Sequence, residues 1–246
     1  MSGALAGVRV LVTRPAHQAE ALCRMIEAEG GTAIRLPLLA IEPRANPADV
    51  KPKLAQPHDF WIFTSTNAVR YALPLLTVPL PERIAAIGAA TAAALAAAGA
   101  ANATVPMAGA SSAALLASPE LAELNGRRVL IVTGEEGLTT LEDELVARGA
   151  TVTRAEVYRR IALPYPPDSV SAALRRSDVL IVTSGQALEH LLRLTPPEMR
   201  KALLKKPLVV PSARMLEKAH DLGFALPARV VDPVSDVALT AACAAP

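Results

Sequence analysis

Asp59-Phe60-Trp61-Ile62-Phe63-Thr64-Ser65-Thr66-Asn67-Ala68-Val69 has a counterpart in the other half of the chain, Asp178-Val179-Leu180-Ile181-Val182-Thr183-Ser184-Gly185-Gln186-Ala187-Leu188. In each copy a short apolar run, rich in Val, Ile or aromatic residues, ends in Thr-Ser and passes into a helical pattern, 68–76 and 187–194. The pattern reads as a buried parallel strand, a turn and a helix. At such a turn a hydroxyl can cap the helix, while backbone N–H groups with no intrahelical partner favour an anion. For any single turn, plain capping and ligand binding both stay open.

The duplication extends outward from this stretch. Residues 84–99, with Gly88 and Thr91 at the turn, align with 208–223, with Ser212 at the turn, and 103–112 align with 228–235. The order of units is the same in both halves, which marks an internal repeat. The next unit, 126–157, has no partner after residue 240; its partner is at the front, where Val8 to Thr13, a helix over 17–29, Gly30-Gly31 and a strand over 32–36 match it. One lobe is therefore built from both chain ends. The expected fold is α/β, two similar parallel-sheet lobes joined by a two-stranded linker, with lobe 1 at 1–36 plus 168–246, lobe 2 at 44–157 and linkers at 37–43 and 158–167. Both linkers are proline-rich, which suits short, stiff, extended connectors. Two crossings between similar lobes leave a cleft, and parallel sheets bind ligands at the carboxyl ends of their strands.

Composition narrows the function. A chain of 246 residues, 52% hydrophobic, holds two cores and is no candidate for disorder. Its net charge of +2 is scattered in pairs such as Arg127-Arg128, Arg159-Arg160, Arg175-Arg176 and Lys205-Lys206, which read as solvated faces and helix ends, not as a nucleic-acid footprint. Few aromatic residues are available for stacking bases. Cys23 and Cys243 form neither CxxC nor a metal-ligand spacing, so a reduced, cytoplasmic protein is expected. The first residues lack the continuous apolar core of a signal peptide. The uncharged stretch 84–119 is Ala-rich and broken by Gly88, Gly99, Asn102 and Pro106, so it reads as strand and helix and not as a membrane span.

Several chemistries lack their residues. There is no GxGxxG after a strand, no GxxxxGK[ST], no HExxH and no GxSxG around Ser65 or Ser184. Gly134-Glu135-Glu136-Gly137 carries acids where a phosphate cradle needs neutral or basic groups, and His17, His58, His190 and His220 are dispersed. What remains is a cleft of small hydroxyls and free backbone amides, suited to a polyanion.

Val10-Leu11-Val12-Thr13-Arg14-Pro15, Phe63-Thr64-Ser65 with Asn67-Ala68-Val69, Ile87-Gly88 with Thr91-Ala92, Leu95 with Gly99, Arg148-Gly149-Ala150 and Val157-Tyr158-Arg159, in that order along nearly the whole chain, resemble uroporphyrinogen-III synthase. The resemblance implies closure of the linear tetrapyrrole hydroxymethylbilane to uroporphyrinogen III, with loss of water and inversion of the last pyrrole ring, without cofactor or metal. The implied substrate is a small molecule with many carboxylates, and helix N-termini facing one cleft can neutralise spread negative charge. Folding the flexible chain so that its ends meet is catalysis by proximity. The sequence asks for no oligomer, so a monomer is expected; its charge and composition exclude nucleic-acid and membrane partners, and a transient contact with the preceding deaminase is compatible with the resemblance.

Functional positions implied by the resemblance fall on Ser65, Thr91, Tyr158, Ser184 and Ser212, and the substrate-binding set extends to Arg14, Thr66, Asn67, Gly88, Gly134, Gly185 and Gln186. Tyr158 is the candidate for proton transfer, since a phenol can assist loss of a hydroxyl as water; the alternative is a hinge tyrosine with its hydroxyl in water. Arg14 follows a strand and opens a helix, where it either reaches a carboxylate or lies at the surface. Many family members read Arg-Gly-x-Gly-Gly-Arg where this chain has Thr133-Gly134-Glu135-Glu136-Gly137-Leu138, so both arginines are absent here. The other reading of the chain is a non-catalytic, two-lobed anion-binding or regulatory protein of the same fold.

Overall fold

The structure, a computed structural model, describes residues 3–244 apart from 108, 110, 136, 138, 226, 227, 232 and 233. Glu136 and Leu138, in the turn where this chain departs from the resembled family, lie outside the described residues. Along the chain come β1 (Arg9–Val12), α1 (Ala16–Ala28), β2 (Thr32–Arg35), β3 (Leu39–Pro43), α2 (Val50–Ala55), β4 (Phe60–Phe63), α3 (Thr66–Ala72), β5 (Ile84–Ala86), α4 (Ala89–Ala97) and α5 (Ser112–Leu116). There follow β6 (Arg128–Gly134), α6 (Thr140–Ala147), β7 (Thr151–Ala162), α7 (Pro167–Arg176), β8 (Val179–Ile181), α8 (Gly185–Leu194), α9 (Pro197–Leu203), β9 (Leu208–Val210), α10 (Ala213–Asp221), β10 (Ala228–Val230) and α11 (Asp236–Cys243). None of these helices is long and apolar enough to cross a membrane.

The chain divides into two compact units, Met1–Ala40 with Ile161–Pro246, and Ile41–Arg160. The first unit holds a parallel five-stranded sheet in the order β10-β9-β8-β1-β2. The second sheet has the order β3-β7-β6-β4-β5, with β7-β6-β4-β5 parallel and a further parallel bridge from Ala85 to Thr104. Placing β4 on β8 puts β5 on β9, the Thr104 bridge on β10, β6 on β1 and β7 on β2. The two sheets therefore share one strand order.

The apolar strand runs follow from this layering, because alternate residues of a strand point to opposite faces and both faces are covered. In the first unit Leu11, Leu180, Val182, Leu208 and Val210 fill one core, while Val10, Val12, Val179, Ile181 and Val209 fill the other. In the second, Trp61, Phe63, Leu130 and Val132 face one core, and Phe60, Ile62, Val129 and Ile131 the other. Helix α1 buries Ala19, Leu22, Cys23 and Ile26, the 3–4 residue spacing of one helical stripe. Gly30 after α1 and Gly149 after α6 both have φ of +81°, a conformation that costs little only for glycine, and each turns the chain into the next strand.

The repeated aspartates have a repeated job. Asp59 N–H donates to the Arg128 carbonyl at 2.8 Å, and its carboxylate accepts from Arg128 N–H at 2.7 Å. Asp178 N–H donates to the Arg9 carbonyl at 2.8 Å, and its carboxylate accepts from Arg9 N–H at 2.9 Å. Each clip sets the starting register of the central strand pair, β4 on β6 and β8 on β1.

One segment differs from expectation. The helix after Ser65 ends at Ala72 and tightens to a 3₁₀ turn over Leu73–Leu75 instead of running to residue 76. Pro74 lacks an N–H and its ring would clash with the carbonyl four residues back, so the α-helix cannot continue. The two passages between units lie inside β3 and β7, consistent with the two-stranded linker expected from the sequence. Leu163 N–H donates to the Leu38 carbonyl and Arg44 N–H to the Val157 carbonyl, a register that requires antiparallel pairing of the two passages. Beyond them, Tyr165 donates its hydroxyl to the Pro37 carbonyl at 2.9 Å, and an imidazole nitrogen of His190 lies 2.8 Å from the Leu163 carbonyl.

Candidate functional site

In an open parallel sheet, ligands bind beyond the carboxyl ends of the strands where the connections diverge. In the second unit that point lies between β4 and β6: from β6 the chain moves outward through α6 to β7, and from β4 through α3 to β5. A pocket of about 190 Å³ occupies this position, lined at its strand ends by Thr64, Ser65, Thr133 and Gly134, with Tyr158, Arg154 and Arg160 from β7.

Ser65 is the cap of α3. Its backbone is extended and its Oγ accepts from Ala68 N–H at 3.1 Å. The same Oγ lies 3.2 Å from the hydroxyl of Tyr158. Either hydroxyl can be the donor of this pair; when Ser65 donates, the phenolic O–H is free to point at a ligand. Thr64 donates its hydroxyl to Thr133 Oγ1 at 3.1 Å, tying the ends of β4 and β6 together.

Tyr158 is 2% exposed, so its hydroxyl is held by Ser65 and is not simply in water as at a solvated hinge. Its ring tilts against Tyr71 at 6.0 Å and lies under the guanidinium of Arg160 at 5.7 Å. Opposite lies Gly134, where an added Cβ would meet the Tyr158 ring at 2.5 Å. The register explains how the ring gets there. Thr133 pairs with Glu156, but the next residue, Gly134, pairs with Tyr158, so Val157 is an extra residue in β7. Such a bulge re-aims the following side chain. Val157 and Tyr158, adjacent in sequence, thus face the same core.

The turn after β6 is held from two sides. Arg154 donates to the Gly137 carbonyl at 3.2 Å and pairs with Glu142 at 3.3 Å and Glu156 at 3.6 Å. Arg44 pairs with Glu156 at 3.0 Å, Asp49 at 3.1 Å and Glu135 at 3.7 Å.

Of the positions singled out in the sequence, Ser65, Gly134 and Tyr158 come together in this pocket. Thr66 is exposed in the first turn of α3, while Asn67 beside it is buried and partnered. Gly88 is the extended N-cap of α4, whose Thr91 is buried. The first unit carries the others. There Ser184 Oγ accepts from Ala187 N–H at 3.2 Å to cap α8, and Ser212 Oγ accepts from Met215 N–H at 3.3 Å to cap α10. Gly185 leaves room for the stem of Lys218, whose carbons an added Cβ would meet at 2.8 Å, and Gln186 follows in the first turn of α8. Arg14 pairs with Asp236 at 2.7 Å, so its charge is matched within its own unit. Sequence reasoning passed over Arg154 and Arg160, the latter as half of a solvated pair. The available signal was their place four and two residues from the singled-out Tyr158, although the bulge defeats a simple alternation argument.

The family model described as uroporphyrinogen-III synthase HemD matches residues 20–232. The chain is similar to the uroporphyrinogen-III synthase of Salmonella typhimurium, with 34% identity over 87% of this chain and 92% of the relative. It is similar to that of Escherichia coli at 33% over 87% and 92%. Among solved structures, a mutant uroporphyrinogen III synthase from Thermus thermophilus superposes with a TM-score of 0.64 over 95% of this chain and 96% of that one, at 24% identity, a likeness of fold.

Proposed function

The chain belongs to the uroporphyrinogen-III synthase family, and from that premise we propose that it closes hydroxymethylbilane to uroporphyrinogen III, inverting the last pyrrole ring with loss of water. The observation that carries the chemistry is the buried Tyr158 hydroxyl, set by a bulge against Gly134 and 3.2 Å from Ser65 Oγ.

The phenol gives its proton to the departing hydroxyl, the C–O bond breaks and water leaves. The carbon left behind is stabilised by the lone pair of its own pyrrole nitrogen. The terminal-ring α-carbon that already bears the chain attacks it, and the bond from that carbon to its original methylene then breaks. The freed methylene is captured by the ring's unsubstituted α-carbon so that the ring is inverted, and the proton lost there as the ring regains aromaticity returns to the Tyr158 oxygen. Ser65 holds that oxygen through the cycle by turning its own hydroxyl proton toward it. General acid assistance of this kind contributes roughly a hundred- to ten-thousandfold. Most of the remaining acceleration falls to positioning, since intramolecular closure needs the two chain ends held in contact.

The substrate's carboxylates dock on turn amides. In this reading Thr66, Asn67, Gly88 and Thr91 serve in the second unit, and Arg14, Ser184, Gly185, Gln186 and Ser212 in the first. Support for it is the serine-capped first turns of α3, α8 and α10, where the serine takes one N–H and a helix start leaves further N–H groups without an intrahelical partner. We place the reaction in the cytoplasm, on the strength of two free, buried cysteines, and in a monomer that receives its substrate by transient contact with the preceding deaminase. Such a contact would spare the open chain from closing unaided to isomer I.

The test couples the purified chain to that deaminase and separates isomers I and III of the oxidised product. Isomer III is expected in excess. Isomer I alone, at the unaided rate, would leave a protein that binds anions and catalyses nothing.

A further inference from the structure

Two guanidinium groups line the pocket of the second unit, and they differ in one respect that decides their roles. Arg154 is 16% exposed along its side chain, faces Glu142 and Glu156, and gives a hydrogen bond to the Gly137 carbonyl. Its charge is matched, and both of its terminal nitrogens donate a hydrogen bond. Arg160 is exposed, stacks over the Tyr158 ring at 5.7 Å, and pairs with no carboxylate among the described residues. Its chain neighbour Arg159 pairs with Glu42, and Arg44 is surrounded by Asp49, Glu135 and Glu156. Among the described residues the pocket's other polar lining is hydroxyls and glycines, so the one unmatched charge that they place at its wall is positive.

We propose that Arg160 is a substrate-docking residue that takes one carboxylate of the tetrapyrrole and sets which of its carbons lies at the Tyr158 hydroxyl. A planar guanidinium gives two parallel N–H bonds to a carboxylate, and stacking on the Tyr158 ring already restricts its orientation, so little freedom is lost on binding. Arg154 by contrast holds the turn after β6 and contributes no docking. The inference rests on the synthase reading above.

Steady-state closure of hydroxymethylbilane is compared for the wild type, Arg160→Gln, Arg160→Lys and Arg24→Gln. Arg24 is exposed on α1 and pairs with Glu20, so its variant removes the same charge away from the pocket. Arg160→Gln is expected to raise KM on the order of tenfold, the size of one charge-assisted bond partly screened by solvent, with kcat within about threefold. Arg160→Lys, which keeps the charge but not the planar fork, should fall between, and Arg24→Gln should match the wild type. Calorimetric titration with uroporphyrin III, a product-like polycarboxylate, should show the same loss for Arg160→Gln, shrinking as salt rises.

A KM within twofold of wild type for Arg160→Gln overturns the proposal, as does a fall in kcat with KM unchanged. If the wild type closes no bilane, the synthase reading fails, and the titration then decides Arg160 separately. Equal affinity of wild type and Arg160→Gln for uroporphyrin III, or no binding by either, rejects the docking role; weaker binding by the variant sustains it.

Discussion

Among the described residues the Tyr158 hydroxyl has one partner, Ser65 Oγ, and its ring is fixed by Gly134, Tyr71 and Arg160. Tyr158→Phe therefore keeps the packing and removes only the transferable proton. Turnover should fall on the order of ten- to a thousandfold, with the product formed on excess, preincubated enzyme still mainly isomer III, since shape and not the phenol selects the inversion. Unchanged turnover would reduce Tyr158 to a packing residue, and enzyme-bound isomer I would give its hydroxyl a part in the inversion. Gly134→Ala attacks the same atom from behind. Its methyl would meet the ring at 2.5 Å, a distance the backbone on one side and the buried ring on the other cannot absorb without moving the hydroxyl away from Ser65. Overpacking of this kind costs about 1–3 kcal/mol. Activity should drop at least as far as in Tyr158→Phe, with a lower Tm. A variant with wild-type kcat would show that the ring has room this geometry denies it.

The clips at Asp59 and Asp178 are the smallest unit of the duplication, and the one at Asp178 spans 169 residues of sequence to bind β8 to β1. The Arg9 guanidinium, bonded to the carboxylate at 2.6 Å and 2.9 Å, holds the Asp178 carboxyl below its ordinary value. A carboxyl depressed in the folded state stabilises at pH above its unfolded value, near 3.8, and loses that contribution as pH falls through the lower folded value. With both side chains partly in solvent, Asp178→Asn should cost about 0.5–1 kcal/mol at pH 7, and the difference from wild type should close as pH drops below about 4. Urea unfolding at pH 7 and pH 3 measures it; a gap that persists at pH 3 would assign the effect to shape and not to charge. The bulge in β7 is the other element-scale device, and it was not legible. Alternation puts Val157 and Tyr158 on opposite faces, and only the pairing of Gly134 with Tyr158 shows that one residue is surplus.

Across the whole molecule, the first unit needs β1 and β2 beside β8, so its sheet cannot close without the first residues of the chain, whereas β4 to β7 are contiguous. We therefore expect a fragment of residues 44–160 to fold cooperatively and one of 168–246 not to, because the latter exposes the β8 edge that β1 covers. Adding residues 1–36 in trans should restore structure to it. Amide exchange on the separate fragments checks this, and protection in 168–246 by itself would break the argument. The repeat, its permutation, the α/β class and the serine turns were legible in sequence because each depends on residues within a few positions of one another: apolar runs, helical spacing and a hydroxyl three residues before the amide it accepts from. Ser65 and Tyr158 were singled out, but their 3.2 Å separation, the Gly134 seat, the matching of Arg14 and Arg154 by carboxylates and the unmatched state of Arg160 were not. Those depend on strand register and on which distant side chains share a surface, and a one-residue bulge changes both without altering any local pattern. Sequence alone thus determined the fold and its duplication, while the tertiary structure decided which face Tyr158 takes and which arginine is left free to meet a carboxylate.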